Sequence, residues 1–194
     1  GLETLGDYTV ALTIANVFFV FPQMVQKILS LSFSQIENKT MLGNTFGIGV
    51  KYNTLFSLVQ FIGFVLVGKW IIAILGPEQP ALVELYALYL IAGITLFNIA
   101  RPWSSMAVAR LNPKLFFIEL FLPPSVIAVF IYVYAAMNYG VLGVAQANMI
   151  TFGLMGLWVV VYTHYRLKIR PTLSYISPAE HHFIRRIRDI FIRN

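Results

Sequence analysis

The sequence has no cysteine and few charged residues, and both shortages limit what the protein can be. Only 11% of the 194 residues are charged, whereas 58% are hydrophobic. A soluble domain carries roughly 25% charged residues, because water must solvate its surface. This chain has less than half of that share, so lipid must form part of its solvent. The absence of cysteine excludes a disulfide framework and a thiolate metal site.

Acidic residues are also scarce, and the excess of positive charge lies at one end. Of the formal net charge of +6, the segment from residue 166 onward contributes +5, with seven Lys/Arg against Glu180 and Asp189. A basic tail on an apolar body predicts contact with anionic membrane lipids. It does not indicate a nucleic-acid partner.

Long apolar stretches occur five times. A membrane-spanning helix needs about 20 mainly apolar residues, and turn residues such as Asn112-Pro113 separate the stretches. A soluble bundle would need a polar face on each helix, which the second stretch lacks. We therefore predict an all-α fold, a polytopic transmembrane helical bundle within residues 1–168. Its spans are Tyr8–Leu29, Leu55–Leu75, Leu82–Ala100, Leu115–Met137 and Val141–Tyr165.

Lys and Arg predict the orientation, because they concentrate on the cytoplasmic side. The loops 30–54 and 101–114 and the C-terminal tail fall on one side of the membrane. Together with Lys27, they hold thirteen of the fourteen Lys/Arg, and only Lys69 leans to the other side. The N-terminus is therefore expected outside and the C-terminus in the cytoplasm.

The tail, residues 169–194, contains one helical pattern at about 178–193. Ser177-Pro178-Ala179-Glu180 has the form of a capping box with proline at the first helical position. Apolar residues then share one face, and arginines surround it. This pattern predicts an amphipathic helix in the cytoplasmic headgroup layer. Binding to calmodulin or RNA is the alternative for such a basic helix.

Polar side chains within the spans are the candidates for function, since such groups are costly in hydrocarbon. Each can join helices by hydrogen bonds or face a polar cavity. Glu119 can either pair with Lys114 or Arg110 or present a carboxylate to a cavity. Arg101 and Lys27 lie at span ends, where snorkelling explains them, although either could also meet a phosphate group. The candidate substrate-binding residues are Asn16, Gln60, Arg101, Glu119, Gln146 and Asn148.

Prolines within the spans predict kinks. Pro22 lies late in the first span and Pro123-Pro124 lie in the middle of the fourth. A proline leaves a carbonyl free, which neighbouring groups or a water-filled cavity must satisfy. Gly43 and Gly47 fall in a predicted polar loop, so no packing role is expected for them. No enzyme, cofactor or metal motif is found, and the sequence predicts a protein that is not an enzyme.

Several motifs together resemble a known family. They are Leu5-Gly6-Asp7-Tyr8-Thr9-Val10-Ala11, Pro22, Ser34, Asn112-Pro113 and Gly140-Val141-Leu142-Gly143-Val144-Ala145. In order and spacing, residues 5–168 resemble the polysaccharide flippases of the multidrug/oligosaccharidyl-lipid/polysaccharide exporter superfamily. The resemblance is to the last five helices of a twelve- or fourteen-helix transporter. It implies that an N-terminal half of the same chain is missing here, which agrees with an N-terminus outside.

The resemblance implies a function in surface polysaccharide biosynthesis. Such proteins move a polyprenyl-diphosphate-linked oligosaccharide across the bacterial plasma membrane by alternating access, driven by an ion gradient. The implied partners are the lipid-linked oligosaccharide, membrane lipids and a coupling ion. Two alternatives remain open. A multidrug exporter of the same superfamily would need acidic residues in its cavity, and a membrane glycosyltransferase or polymerase would need catalytic acids on a large outer loop.

Overall fold

The structure is a computed structural model that describes residues 2–178. It contains α1 (Leu2–Gln35), α2 (Lys39–Leu75), α3 (Pro80–Arg110), a short α4 (Pro113–Leu115), a π-helix (Phe116–Phe121) and α5 (Leu122–Leu167). No strand occurs within residues 2–178. Four stretches of continuous helix, the last of them residues 113–167, are long and apolar enough to cross a membrane. The predicted all-α transmembrane fold is confirmed.

The fourth stretch turns back on itself at Gly140. This residue has φ 60° and ψ −145°, a conformation that is essentially restricted to glycine. Residues far apart along the stretch are then in contact, since the Tyr162 hydroxyl donates to the Glu119 carboxylate. The stretch is therefore a helical hairpin with a first arm, residues 113–139, and a second arm, residues 141–167. Counting both arms, the chain passes through the bundle five times, which approximately matches the five predicted spans.

The helices are longer than the predicted spans, and the predicted loops 30–54 and 101–114 are mostly helical. Only residues 36–38 separate α1 from α2. Asn38 caps α2, because its side chain accepts hydrogen bonds from the backbone N–H groups of Thr40 and Met41. The start of α2 then packs Leu42 and Phe46 against Phe33. This tertiary packing stabilises a helix in a segment whose glycines and threonines have low helix propensity.

Helix α3 lies at the centre of the bundle and packs against α1, α2 and α5. Its buried residues include Leu90, Ile91 and Ile94, none of them more than 2% exposed. The other helices each expose a broad apolar surface, which is the expected state of a face in contact with lipid. A polar group on the inward face of α3 is therefore enclosed by protein, while one on the outer face of α1 or α2 is not.

The C-terminal segment 168–178 packs against the start of α2, and this corrects the sequence analysis. The Thr172 N–H donates to the Gly43 carbonyl at 2.9 Å, and the Lys51 ammonium donates to the Tyr175 carbonyl at 2.7 Å. A Cβ on Gly47 would overlap the Thr172 carbonyl group. Gly43 and Gly47 therefore do form a packing face. The predicted amphipathic helix at about 178–193 lies outside the described residues.

Candidate functional site

The site begins with a carbonyl that a proline leaves free. Pro22 has no N–H to donate to the carbonyl of Phe18, four residues earlier in α1. The side-chain amide of Asn98 on α3 donates to that carbonyl instead, at 3.1 Å. Asn98 is 1% exposed, so the bond is shielded from solvent. An interhelical hydrogen bond thus replaces the helical one that proline removes.

A second proline, on α3, also has its missing helical hydrogen bond replaced by one from another helix. Pro102 frees the carbonyl of Asn98, again four residues earlier, and the side-chain amide of Asn53 on α2 donates to it. The Ser57 hydroxyl in turn donates to the Asn53 carbonyl at 2.7 Å. Asn98 therefore contributes its side chain to α1 and its carbonyl to α2. The two prolines and two asparagines join three helices.

Arg101 lies within this network and is only 5% exposed. Its Nε–H donates to Asn98 Oδ1 at 2.7 Å, and its Nη1 group donates to Gln26 Oε1 at 2.5 Å. The rings of Phe19 and Phe97 each lie 5.3 Å from the guanidinium carbon, a distance at which cation–π attraction operates. Within residues 4–178, no carboxylate forms an ion pair with Arg101.

Gln26 connects Arg101 to the next turn of α3. Its side-chain amide donates to the Ser104 hydroxyl at 3.2 Å, and its carbonyl accepts from the Ser105 hydroxyl at 3.3 Å. The hydrogen-bond partners of the guanidinium are thus two side-chain amides, which carry no formal charge. Two of the five guanidinium N–H donors are used in these bonds, which leaves three for another acceptor. An anion is the ligand that this charge favours.

The expectation that Arg101 snorkels to the membrane surface is wrong. Its side chain turns inward, because amide acceptors and two aromatic rings compensate for part of the solvation that it loses. Lys27, the other residue predicted to snorkel, is exposed. The two basic residues that the sequence treats alike therefore differ in position. Only Arg101 belongs to the bundle interior.

Glu119 is the third residue whose backbone carbonyl lacks a helical partner because of proline and accepts a side-chain hydrogen bond instead. Pro123 and Pro124 lie four and five residues after Glu119, so neither an α-helical nor a π-helical N–H is available to its carbonyl. The Trp158 indole N–H on the second arm donates to this carbonyl at 3.3 Å. The Glu119 carboxylate accepts from the Tyr162 hydroxyl. The predicted pairing with Lys114 or Arg110 is wrong: Lys114 is exposed, and Arg110 donates to the Ile36 carbonyl. Glu119 instead holds the two arms of the hairpin together.

The other candidate residues lie at separate places. Gln146 is at 3.5 Å from the Tyr89 hydroxyl, and Asn148 lies against Gly93 of α3. Gln60 is half-buried, and its side-chain oxygen, like that of Asn148, has no hydrogen-bond partner among residues 4–178. Asn16 is exposed on α1. No hydrogen bond joins any two of the six candidates within this part of the chain.

Sequence reasoning missed Gln26, Asn53, Asn98 and Pro102, which form most of the site. One signal was available for the last two. Asn98 lies four residues before Pro102, so its own carbonyl is the one that proline frees. The partners Gln26 and Asn53 lie on other helices, and no spacing in the sequence relates them to Arg101.

The described residues 2–178 contain no group of His, Cys, Asp or Glu that could hold a metal ion. A scan against models of protein families, a search of curated proteins and a search of solved structures each found no match to this chain. The function must therefore be argued from the residues and their geometry.

Proposed function

We propose that this chain forms the second half of a transporter that moves a polyprenyl-diphosphate-linked oligosaccharide across the bacterial plasma membrane. The N-terminus of the chain lies outside and the C-terminus lies in the cytoplasm. The transported molecule, membrane lipids and a coupling ion are its partners. The proposal rests on the motif resemblance together with one observation, the buried Arg101.

Arg101 supports the proposal because its environment suits a diphosphate. A cation in hydrocarbon is costly, and such residues mark substrate pathways in membrane proteins. Here no carboxylate within residues 4–178 balances the charge, and its contacts are two side-chain amides and two aromatic rings. A diphosphate would supply the missing negative charge. Amides such as Gln26 offer the donors and acceptors that sugar hydroxyls need.

The prolines support a change of conformation. Alternating access requires helices to bend or rock around a fixed site. At Pro22 and Pro102 no helical hydrogen bond to the preceding turn has to break when the helix bends, because proline has no N–H to form one. Asparagine side chains from other helices satisfy the freed carbonyls. Both prolines lie close to Arg101, which contacts Phe19 and Gln26 on either side of Pro22 and directly precedes Pro102. Bending at these points would change how far the guanidinium is exposed to the centre of the transporter.

The test is complementation of a strain that lacks its polysaccharide flippase, using the full-length protein. Arg101→Gln should abolish surface polysaccharide while the protein level stays normal, and Arg101→Lys should retain part of the activity because it keeps the charge. Lys114→Gln is the matched control, since Lys114 is basic but exposed. Gln60→Leu and Glu119→Gln test two of the other five candidates in the same assay.

The outcomes separate a transport role from a structural one. Normal polysaccharide with Arg101→Gln at a normal protein level would remove Arg101 from the site and, with it, the main support for the proposal. If polysaccharide and protein fall together, the network serves stability. Export of a cationic drug instead of a sugar lipid would support the alternative that the protein is a multidrug exporter.

A further inference from the structure

The arms of the helical hairpin enclose an apolar groove. They touch near the turn, where a Cβ on Gly143 would overlap the Ala135 carbonyl, and they are joined again at the far end by Glu119 and Tyr162. Between these points lies a cavity of about 410 Å³. This volume falls within the range of about 300–1,000 Å³ that is typical of ligand sites. The first arm contributes Pro123, Pro124, Ile127, Ala128 and Ile131, and the second Thr151, Leu154, Leu157, Trp158 and Val161.

The groove offers a ligand almost no polar partner. The Thr151 hydroxyl is already hydrogen-bonded to the Tyr132 hydroxyl and the Asn148 carbonyl. The Trp158 indole N–H is used by the Glu119 carbonyl. All other lining side chains are apolar. A sugar or a nucleotide would lose its hydration here without compensation, whereas a hydrocarbon chain would not.

A second cavity continues the first toward the end of the hairpin. It is about 330 Å³, shares Trp158 and Val161 with the groove, and is completed by Tyr162, Tyr165 and Arg166. Arg166 is exposed, and no carboxylate among residues 4–178 forms an ion pair with it. From Leu154 to Arg166 the helix rises about 18 Å. This is close to the thickness of one leaflet, half of the ~30 Å hydrocarbon core.

We propose that this continuous groove binds one anionic phospholipid, with an acyl chain between the hairpin arms and the phosphate group at Arg166. The positive charge of Arg166 and the length of the apolar groove together indicate this ligand. The apolar part matches one leaflet in depth, and the only cation that lines either cavity stands at its end. Tyr162 and Tyr165 beside it are aromatic residues of the kind that lie at headgroup level. The site is separate from Arg101 and does not depend on the transported substrate.

Trp158 provides a direct probe, because it lines both cavities. The full chain, with Trp70→Phe and Trp103→Phe, is reconstituted in vesicles of phosphatidylcholine and phosphatidylglycerol. The acyl chains of one lipid or the other carry bromine, which quenches tryptophan on contact. We expect phosphatidylglycerol to displace phosphatidylcholine at Trp158 with about fivefold preference, because the groove holds the lipid beside Trp158 with its phosphate group at Arg166. The expected size is that of one basic side chain near an anionic lipid. Arg166→Gln should abolish this preference while the basic tail is retained.

Trp70 supplies a matched control. It is also exposed to lipid and lies beside a cation, with Lys69 Nζ 5.1 Å from its ring, but it lines neither cavity. A chain that keeps only Trp70 should show no comparable preference. Equal quenching by both lipids at Trp158, the same preference at Trp70, or a preference that survives Arg166→Gln would each overturn the proposal. Absence of quenching by either lipid at Trp158 would also overturn it, since protein would then cover the groove.

Discussion

The side-chain amide of Asn98 donates a hydrogen bond, at 3.1 Å, to the carbonyl of Phe18, the carbonyl that Pro22 leaves without its helical partner. The same relationship joins Asn53 to Asn98 before Pro102, and Trp158 to Glu119 before Pro123. In each case the donor is a side chain from another helix or from the other arm of the hairpin. The prolines thus determine where helices are joined, and Arg101 lies beside two of these joints.

The first prediction concerns the pair formed by Pro22 and Asn98. Asn98→Leu should destabilise the protein, because the Phe18 carbonyl then has no donor. With Pro22→Ala the helix can satisfy that carbonyl itself, so the loss should be smaller. We expect a coupling energy of about 0.6–1.7 kcal/mol, the range found for interhelical hydrogen bonds in membranes, measured by unfolding in mixed detergent micelles. Asn98→Leu combined with Pro123→Ala should be additive, because Pro123 is in another joint.

The second prediction concerns the hydrogen bond between Glu119 and Tyr162. Tyr162→Phe should lower the free energy of unfolding by about 1–3 kcal/mol, since a half-buried carboxylate loses its donor. Tyr165→Phe should have little effect, because Tyr165 is 75% exposed. In a Glu119→Leu background, Tyr162→Phe should cost less. Equal losses for the two tyrosine variants would contradict a role of this bond in holding the arms together.

The third prediction concerns the segment that packs on α2. Gly47→Ala should displace it, because the added methyl group overlaps the Thr172 carbonyl. Trypsin should then cleave faster after Lys168, which lies at the start of the segment. Gly63→Ala, on the same helix, has nothing within 4 Å of the new Cβ and should leave cleavage unchanged. Similar cleavage rates in both variants would mean that the contact does not restrain the segment.

The fourth prediction concerns orientation, which the Lys/Arg distribution suggests. Single cysteines can be labelled without interference, because the chain has none of its own. Asn138→Cys, at the hairpin turn, should react with an impermeant reagent added outside. Arg110→Cys, at the end of α3, should react only after the membrane is opened. The reverse pattern would mean that the proposed topology is inverted.

The sequence predicts those parts of the site that depend on residues close together along one helix, and it does not predict contacts between helices. Asn98 and Pro102 are related by the helical repeat, so their link is visible in the sequence. The sequence marks Arg101 as a candidate but places it at the membrane surface, since one helix alone does not show which side chains enclose it. For Asn16 the error is the opposite: the sequence suggests an interior position, and the residue is exposed. It is polar and within a span, yet it lies on an exposed face, and the even hydrophobicity of α1 gave no sign of this.

The sequence by itself determined that the chain is a bundle of membrane-spanning helices. The chain has too few charges for a surface solvated by water, and its five apolar stretches require lipid around helices whose backbone hydrogen bonds are internal. Gly140 marks the hairpin turn. Only the tertiary structure decided what lies between the helices. It brought Asn98 to Phe18, enclosed Arg101 among amides and rings, and set Thr172 against Gly43 and Gly47. The physical reason is that hydrophobicity acts on each helix alone, whereas a freed carbonyl or a buried charge can be satisfied only by a partner from elsewhere in the chain.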